Sequence, residues 1–125
     1  MAASTPDPVR EDRILMEIVV DAYDAGERAL GWYYYLENTL RLPFGARCVS
    51  RRAISPLRPG EAVTVTGLAP EDECEREIFV QVDWQERPLA VPLSQLEPHG
   101  RPAADLATRE AVADWHYWTA RGYEF

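Results

Sequence analysis

Cysteine is scarce in this sequence and is not arranged for a metal or for a disulfide framework. Only Cys48 and Cys74 occur in 125 residues, without the paired spacing of a zinc site. Two cysteines are also too few for the disulfide density of a small secreted scaffold. We therefore expect two free thiols in a reducing compartment.

Long apolar runs are also missing. No segment approaches the roughly 20 apolar residues of a membrane-spanning helix. Residues 1–7 lack the basic and apolar regions of a secretory signal. These absences predict a cytoplasmic protein without a membrane partner.

Positive charge is in deficit. Lys and Arg total 13 against 21 Asp and Glu, which gives a formal net charge of -8. This negative field repels phosphate backbones, so nucleic acid is not an expected partner. The length and the 46% hydrophobic content are those of one globular domain.

The residues that catalysis would need form no recognisable set. Cys48, Cys74, His99 and His116 show no pairing of a nucleophile with a base. No histidine pair stands at the spacing of a transition-metal site. The sequence therefore predicts a protein that is not an enzyme.

The chain begins with a predicted disordered tail at residues 1–7 and a helix over Val9–Tyr23. Asp7 is placed to cap this helix, and Pro8 occupies its first position. The β-branched run Ile18-Val19-Val20 leaves a short strand open as an alternative.

A second helix is predicted from Asp24, with Glu27 completing a capping box, to about Leu40. The two helices would form a hairpin over residues 8–42. Periodicity predicts a buried face made of Ala29, Leu30, Tyr33, Leu36 and Leu40, bordered by Trp32. Tyr34 and Tyr35 would flank it, with hydroxyls that reach polar partners.

Residues 44–98 have strand character. Four runs are rich in β-branched and aromatic residues: Ala46–Ala53, Ala62–Thr66, Ile78–Trp84 and Leu89–Leu93. The turn at 93–96 before Glu97-Pro98 resembles the end of a small SH3-like barrel. We therefore expect a barrel of four or five short strands.

After a linker at 99–102, a C-terminal aromatic helix is predicted over Ala103–Arg121, with Gly122 as its stop. Its predicted inward stripe comprises Leu106, Ala113, Tyr117 and Ala120. Trp115 and Trp118 lie on the other half, where they would pack against the Trp32–Tyr35 helix or, if exposed, bind a protein partner. The fold class is thus α+β, with residues 8–125 as one domain.

An internal acidic segment is the strongest functional signal. Residues 71–77 carry five carboxylates and Arg76. Such a segment is either a solvated turn or a loop for a hard cation such as Ca2+. If it were extended, Glu73, Glu75 and Glu77 would share one face.

Two acids outside this segment are also candidates. Glu37 is predicted at the edge of the buried face of the second helix, where a partly buried carboxylate needs an arginine or a metal. Asp114 lies beside Arg121, so a local ion pair and metal ligation are both open.

Several long strings resemble the CcbP type of calcium-binding protein. They are residues 16–23, 31–36, 67–75, 89–96, 114–118 and 122–125. The resemblance covers about residues 12–125. It implies a small acidic cytoplasmic protein that binds Ca2+ without an EF-hand loop, which this sequence lacks. Asn38 stands where relatives are expected to carry an acid.

The sequence and the resemblance together give a set of expected calcium ligands: Glu37, Asn38, Glu71, Asp72, Glu73, Glu75, Glu77 and Asp114. The expected role is calcium buffering or sensing, and Glu73→Gln with Glu75→Gln should weaken binding. The alternative is a small-barrel module that binds a protein through exposed aromatics and uses its acids only for solubility.

Overall fold

The computed structural model describes residues 7–20 and 22–121, and this part of the chain has the predicted α+β class. Its helices are α1 (Pro8–Arg13), α2 (Ala25–Thr39) and α3 (Leu106–Ala120), with a π-helical turn at Ile14–Ile18 and 3-10 turns at Glu71–Glu73 and Leu93–Gln95. Its strands are β1 (Phe44–Cys48), β2 (Ala62–Leu68), β3 (Phe79–Trp84), β4 (Arg87–Pro92) and β5 (Leu96–Pro98).

The sheet is open, so the predicted SH3-like barrel over residues 44–98 is not confirmed. All pairs are antiparallel in the order β4-β3-β2-β1-β5, and β4 and β5 form the two edges. The Leu96 carbonyl of β5 is hydrogen-bonded to the His116 ring of α3 at 2.5 Å. A helix, instead of a closing strand, therefore packs against β5.

The first helix is shorter than predicted. Arg10 N–H donates to Asp7 Oδ1 at 3.0 Å, which confirms the cap. The helical geometry ends at Ile18 instead of Tyr23, because Val19 leaves it with φ -109° and ψ 21°. The β-branched residues at this point disfavour a further turn.

The start of α2 is confirmed with one change. Glu27 N–H donates to Asp24 Oδ1 at 2.8 Å, as in a capping box. The Glu27 carboxylate, however, accepts from the Tyr23 N–H at 2.6 Å and not from Asp24. The return bond of the capping box is thus shifted by one residue, to the residue before the N-cap.

The core is organised around tryptophan, which corrects two predicted helix faces. Trp32 is fully buried, and its ring centroid lies 5.0 Å from that of Trp115 and 5.7 Å from that of Trp118. Leu30 and Leu106 are instead exposed, and α3 buries a different stripe. Its members are Thr108, Ala111, Val112, Asp114, Trp115 and Trp118.

This packing confirms that the last helix contacts the aromatic helix. The predicted stripe through Ala113, Tyr117 and Ala120 is only partly buried or exposed. Burying large indoles removes more apolar area from water than burying alanines does, which explains the rotation. The helix begins at Leu106 and not at Ala103, because Asp105 caps it by accepting from Thr108 N–H at 2.8 Å.

Other boundaries also differ. β1 ends at Cys48 instead of Ala53, and β4 begins at Arg87 because a tight turn at Gln85 and Glu86, with φ 50° and 65°, joins it to β3. Residues 1–6 of the predicted tail and the stop at Gly122 lie outside the described residues. No helix within the described ranges is long and apolar enough to cross a membrane.

Gly31 allows the π-helical turn to approach α2. A Cβ at this position would collide with the backbone carbonyl oxygen of Ile18. We expect Gly31→Ala to destabilise the protein by about 1–3 kcal/mol, because one backbone must move. Gly26→Ala, in the first turn of the same helix, meets only Asp24 Oδ1 at 3.4 Å and should stabilise it by roughly 0.5–1 kcal/mol. Urea unfolding of both variants measures the difference, and equal midpoints would contradict the close approach.

Candidate metal centre

Asp114 lies in a buried ion cluster between α1 and α3. Its side chain is fully buried. Arg10 and Arg13 each approach Oδ1 at 2.6 Å, and Arg13 Nε donates to Oδ2 at 3.1 Å. The Tyr35 hydroxyl donates to Oδ2 at 3.0 Å. These contacts use the roughly four lone-pair sites of a carboxylate.

This arrangement corrects the predicted ion pair of Asp114 with Arg121. The arginines come from the first helix, and Arg121 Nε lies 3.8 Å from Glu11 instead. The i, i+3 spacing of Arg10 and Arg13 was a readable signal, since it places two cations on one side of a helix. Asp114 therefore joins α3 to α1 through its contacts with Arg10 and Arg13.

The same cluster affects Tyr35. Burial raises the pKa of its hydroxyl, and the Asp114 charge and hydrogen bond raise it further. The unfolded chain therefore ionises at a lower pH than the native protein. The contribution of the Tyr35 hydroxyl to the free energy of unfolding is therefore fully present below about pH 10. It decreases as the pH rises above that value.

We expect Tyr35→Phe to lower the unfolding free energy by about 1 kcal/mol at neutral pH, because Asp114 loses a donor. The unfolding free energy of the variant should then fall less steeply with pH in alkali. Part of the fall should remain, because burial also raises the pKa of Tyr33. Denaturation at several pH values measures this. Tyr23→Phe is the control because that side chain is exposed. An unchanged alkaline slope in Tyr35→Phe would contradict the assignment.

Glu77 is also engaged by an arginine. Arg52 Nη1 and Nη2 approach its two oxygens at 3.1 and 2.7 Å, and the hydrogen bond to Glu77 raises the pKa of Arg52. Nη1 also contacts Ser94 Oγ at 3.1 Å. Both carboxylate oxygens of Glu77 are thus bound by Arg52 in a bidentate pair, which makes them less available to a metal ion.

The rest of the acidic segment is a compact turn and not an extended strand. Glu71–Glu73 form a 3-10 turn, and Cys74 N–H donates to the Glu71 carbonyl at 3.0 Å. The predicted alternation of faces therefore does not apply. Cys74 is buried, and its sulfur accepts from Phe79 N–H at 3.4 Å. The acids on either side of it are exposed.

Two tyrosines fix this turn to α2. The Tyr33 hydroxyl donates to the Ala69 carbonyl at 2.8 Å, and the Tyr34 hydroxyl donates to Glu71 Oε2 at 2.9 Å. The hydrogen bond and the charge of Glu71 raise the pKa of Tyr34, with smaller contributions from burial and Glu37. The predicted polar partners of Tyr34 and Tyr35 are thus confirmed.

Glu37 and Asn38 are both exposed on α2. The prediction that Glu37 is partly buried is therefore wrong. Its position followed from placing Leu30 in the core, and the helix is rotated toward Trp32 instead. Both side chains are free to reorient in solvent.

A cavity of about 510 Å³ lies between the start of α2 and the acidic turn. Five carboxylates line it: Asp24, Glu27, Glu71, Asp72 and Glu75. Asp24 and Glu27 were not among the expected ligands, because their sequence pattern indicates only helix capping. No local pattern reveals their proximity to residues 71–75, since the tertiary fold creates it.

These carboxylates do not form a finished cage. Within residues 7–20 and 22–121, no group of three His, Cys, Asp or Glu side chains is placed to hold a metal ion. The acids that line the cavity are hard oxygen donors on exposed side chains, so they suit Ca2+ if they converge and water completes the shell. The carboxylates of the cavity therefore fit Ca2+ in the type of their ligand atoms and in their proximity to one another.

Comparisons with known proteins give one consistent result. The model of the CcbP family, described as calcium binding, matches residues 12–119. The crystal structure of Anabaena CcbP is 42% identical, with a TM-score of 0.84 and 100% coverage of both chains. A calcium-binding protein in its calcium-binding form is 41% identical, with a TM-score of 0.82 and 95% coverage of both chains. No curated protein sequence gives a significant match.

Proposed function

This chain belongs to the CcbP family of calcium-binding proteins, and we propose on that premise that it binds Ca2+ at the cavity between α2 and residues 71–75. One observation carries the location. Five carboxylates line this cavity, whereas the ion pairs observed among the described residues involve other acids: Asp7, Glu11, Glu77, Glu97, Glu110 and Asp114. A divalent cation would relieve their mutual repulsion.

The proposed ligands come from both walls of the cavity. Glu71, Asp72 and Glu75 belong to the acidic turn, and Asp24 and Glu27 to the start of α2. The hydrogen bonds described above use Asp24 Oδ1, Glu27 Oε1 and Glu71 Oε2. The second oxygen of each remains for a cation. Ca2+ accepts carboxylates and water at variable geometry, so a shell from two separate elements is feasible.

The other predicted ligands rank lower. Glu73 lies on the same 3-10 turn but does not line the cavity. Glu37 and Asn38 are exposed on α2 and could hold a second, weaker ion. Glu77 and Asp114 are excluded from the proposed set, because arginines occupy their oxygens.

We infer a cytoplasmic buffer or sensor of modest affinity. Because the carboxylates must be ordered when the ion binds, part of the binding free energy is lost as side-chain entropy. The Tyr33 hydroxyl holds the Ala69 carbonyl and the Tyr34 hydroxyl holds the Glu71 carboxylate, so the turn is tied to α2 and the change on binding would be local. This supports a site that loads without a large rearrangement.

Calorimetric titration of the metal-stripped protein with CaCl₂ in excess MgCl₂ tests the function. Saturable heat with a defined stoichiometry supports a selective calcium site. No heat, together with no rise in melting temperature, would contradict it, since a ligand that binds the native state must stabilise that state.

The interaction-module alternative depended on exposed Trp118 or Tyr35. Trp118 is buried against Trp32, and the Tyr35 hydroxyl is bonded to Asp114. These two side chains therefore do not support a docking surface.

A further inference from the structure

The cavity beside the acidic turn has a floor that a metal ion would not use. Ala29, Tyr33 and Cys74 are buried there, and Leu30 is 39% exposed. A hydrated cation gains nothing from apolar contact. The volume of about 510 Å³ instead falls in the range of roughly 300–1,000 Å³ that suits organic ligands.

The rim of this cavity is negative throughout. Its five carboxylates carry a formal charge of about -5 at pH 7, and no arginine or histidine lines it within the described residues. All 13 Lys and Arg residues of the chain are arginines, and the ion pairs observed among the described residues join arginines to acids outside this cavity. The cavity thus combines an apolar floor with an acidic rim.

Apolar surface continues outside the cavity. Tyr23 is 85% exposed and directly precedes Asp24, while Tyr34 is 47% exposed one turn after Leu30. The Tyr34 hydroxyl is held by Glu71, so its ring has a fixed position at the rim. A small molecule inside the cavity would leave these rings uncovered, whereas a peptide segment would cover them.

We propose that this surface docks a basic, apolar segment of a partner protein, with a leucine-sized side chain on the floor and Arg or Lys on the rim. Charge complementarity identifies the occupant, since the rim repels acidic segments and attracts cations. The proposal rests on the proposed function in one respect. Ca2+ would compete with the segment, because both need the same carboxylates, and calcium loading would release the partner.

The test uses the peptide acetyl-Leu-Arg-Leu-Arg-Leu-amide, labelled with tetramethylrhodamine, and fluorescence anisotropy with metal-free protein. We expect saturable binding that CaCl₂ reverses. Asp72→Asn with Glu75→Gln should weaken binding by about tenfold or more. Asp83→Asn with Glu86→Gln removes the same charge from two exposed positions, one near the end of β3 and one in the turn that follows it, and should have little effect. Equal losses in the two double variants would overturn the proposal, since they would show non-specific attraction.

A second variant isolates the apolar floor. Leu30→Ser should weaken the binding of the peptide by about fivefold and leave the calcium titration unchanged. Leu106→Ser, at an exposed position of α3, is the matched control. Spermine, which has charge without an apolar side chain, should displace the peptide poorly, and strong displacement would overturn the need for a floor.

The calcium titration separates the two failures. If the protein binds Ca2+ but not the peptide, the docking proposal is wrong and the proposed function stands. If both the peptide and Ca2+ bind but Ca2+ does not displace the peptide, the competition is wrong and the calcium site lies away from this cavity. If the peptide binds and calorimetry shows no binding of Ca2+, the proposed function is wrong and the docking surface stands.

Discussion

Asp114→Asn should lower the free energy of unfolding by about 3–5 kcal/mol, because it leaves Arg10 and Arg13 without their buried counter-charge. The carboxylate is fully buried and accepts four hydrogen bonds. The side chains of Arg10 and Arg13 are 19% and 28% exposed. Partial solvation of these arginines places the expected loss at the lower end of the range.

Chemical denaturation of the metal-free protein measures this loss. Glu110→Gln is the control, because its contacts with the same arginines are longer, at 3.4 and 3.5 Å, and its side chain is 46% exposed. We expect a loss of less than about 1 kcal/mol there. If Asp114→Asn kept full stability but lost calcium binding, Asp114 would be a ligand and its assignment to the ion cluster would be wrong.

The second large effect concerns calcium affinity. Asp72→Asn with Glu75→Gln should raise the calcium Kd by about 10-fold to 100-fold, since two of five carboxylates around the cavity lose their charge. The same change should stabilise the metal-free protein slightly by relieving repulsion. Asp83→Asn with Glu86→Gln is matched in charge and should leave the Kd within about twofold.

The pair chosen from sequence alone, Glu73→Gln with Glu75→Gln, should show a smaller loss. Glu75 lines the cavity and Glu73 does not. An equal or larger loss in this pair would move the site to the outer side of the 3-10 turn. Calorimetric titration of the three double variants ranks the carboxylates directly.

Local chemistry made part of this fold predictable. The caps at Asp7 and Asp24 are short-range hydrogen bonds, and the alternation in β2 and β3 is a property of each strand. Polar partners for Tyr34 and Tyr35 were predictable, since tyrosines that flank an apolar helix face can bring their hydroxyls to polar groups. The identities of those partners were not predictable, because they lie 37 and 79 residues away.

The errors arose where tertiary packing decided the outcome. Periodicity placed Leu30 and Leu106 inside, but a cluster of three tryptophans turned both helices toward one another. The sheet was expected to close, and α3 contacts β5 instead. The candidate site mixes both cases, because its acidic turn was visible in the sequence while Asp24 and Glu27 join it only through the fold.

The most direct test of the calcium site is an anomalous difference map from crystals of this protein grown with CaCl₂. We expect a peak between the start of α2 and the acidic turn, about 2.3–2.6 Å from oxygens of Glu71, Asp72 or Glu75. A peak only beside Glu37 and Asn38, or at Asp114, would contradict it.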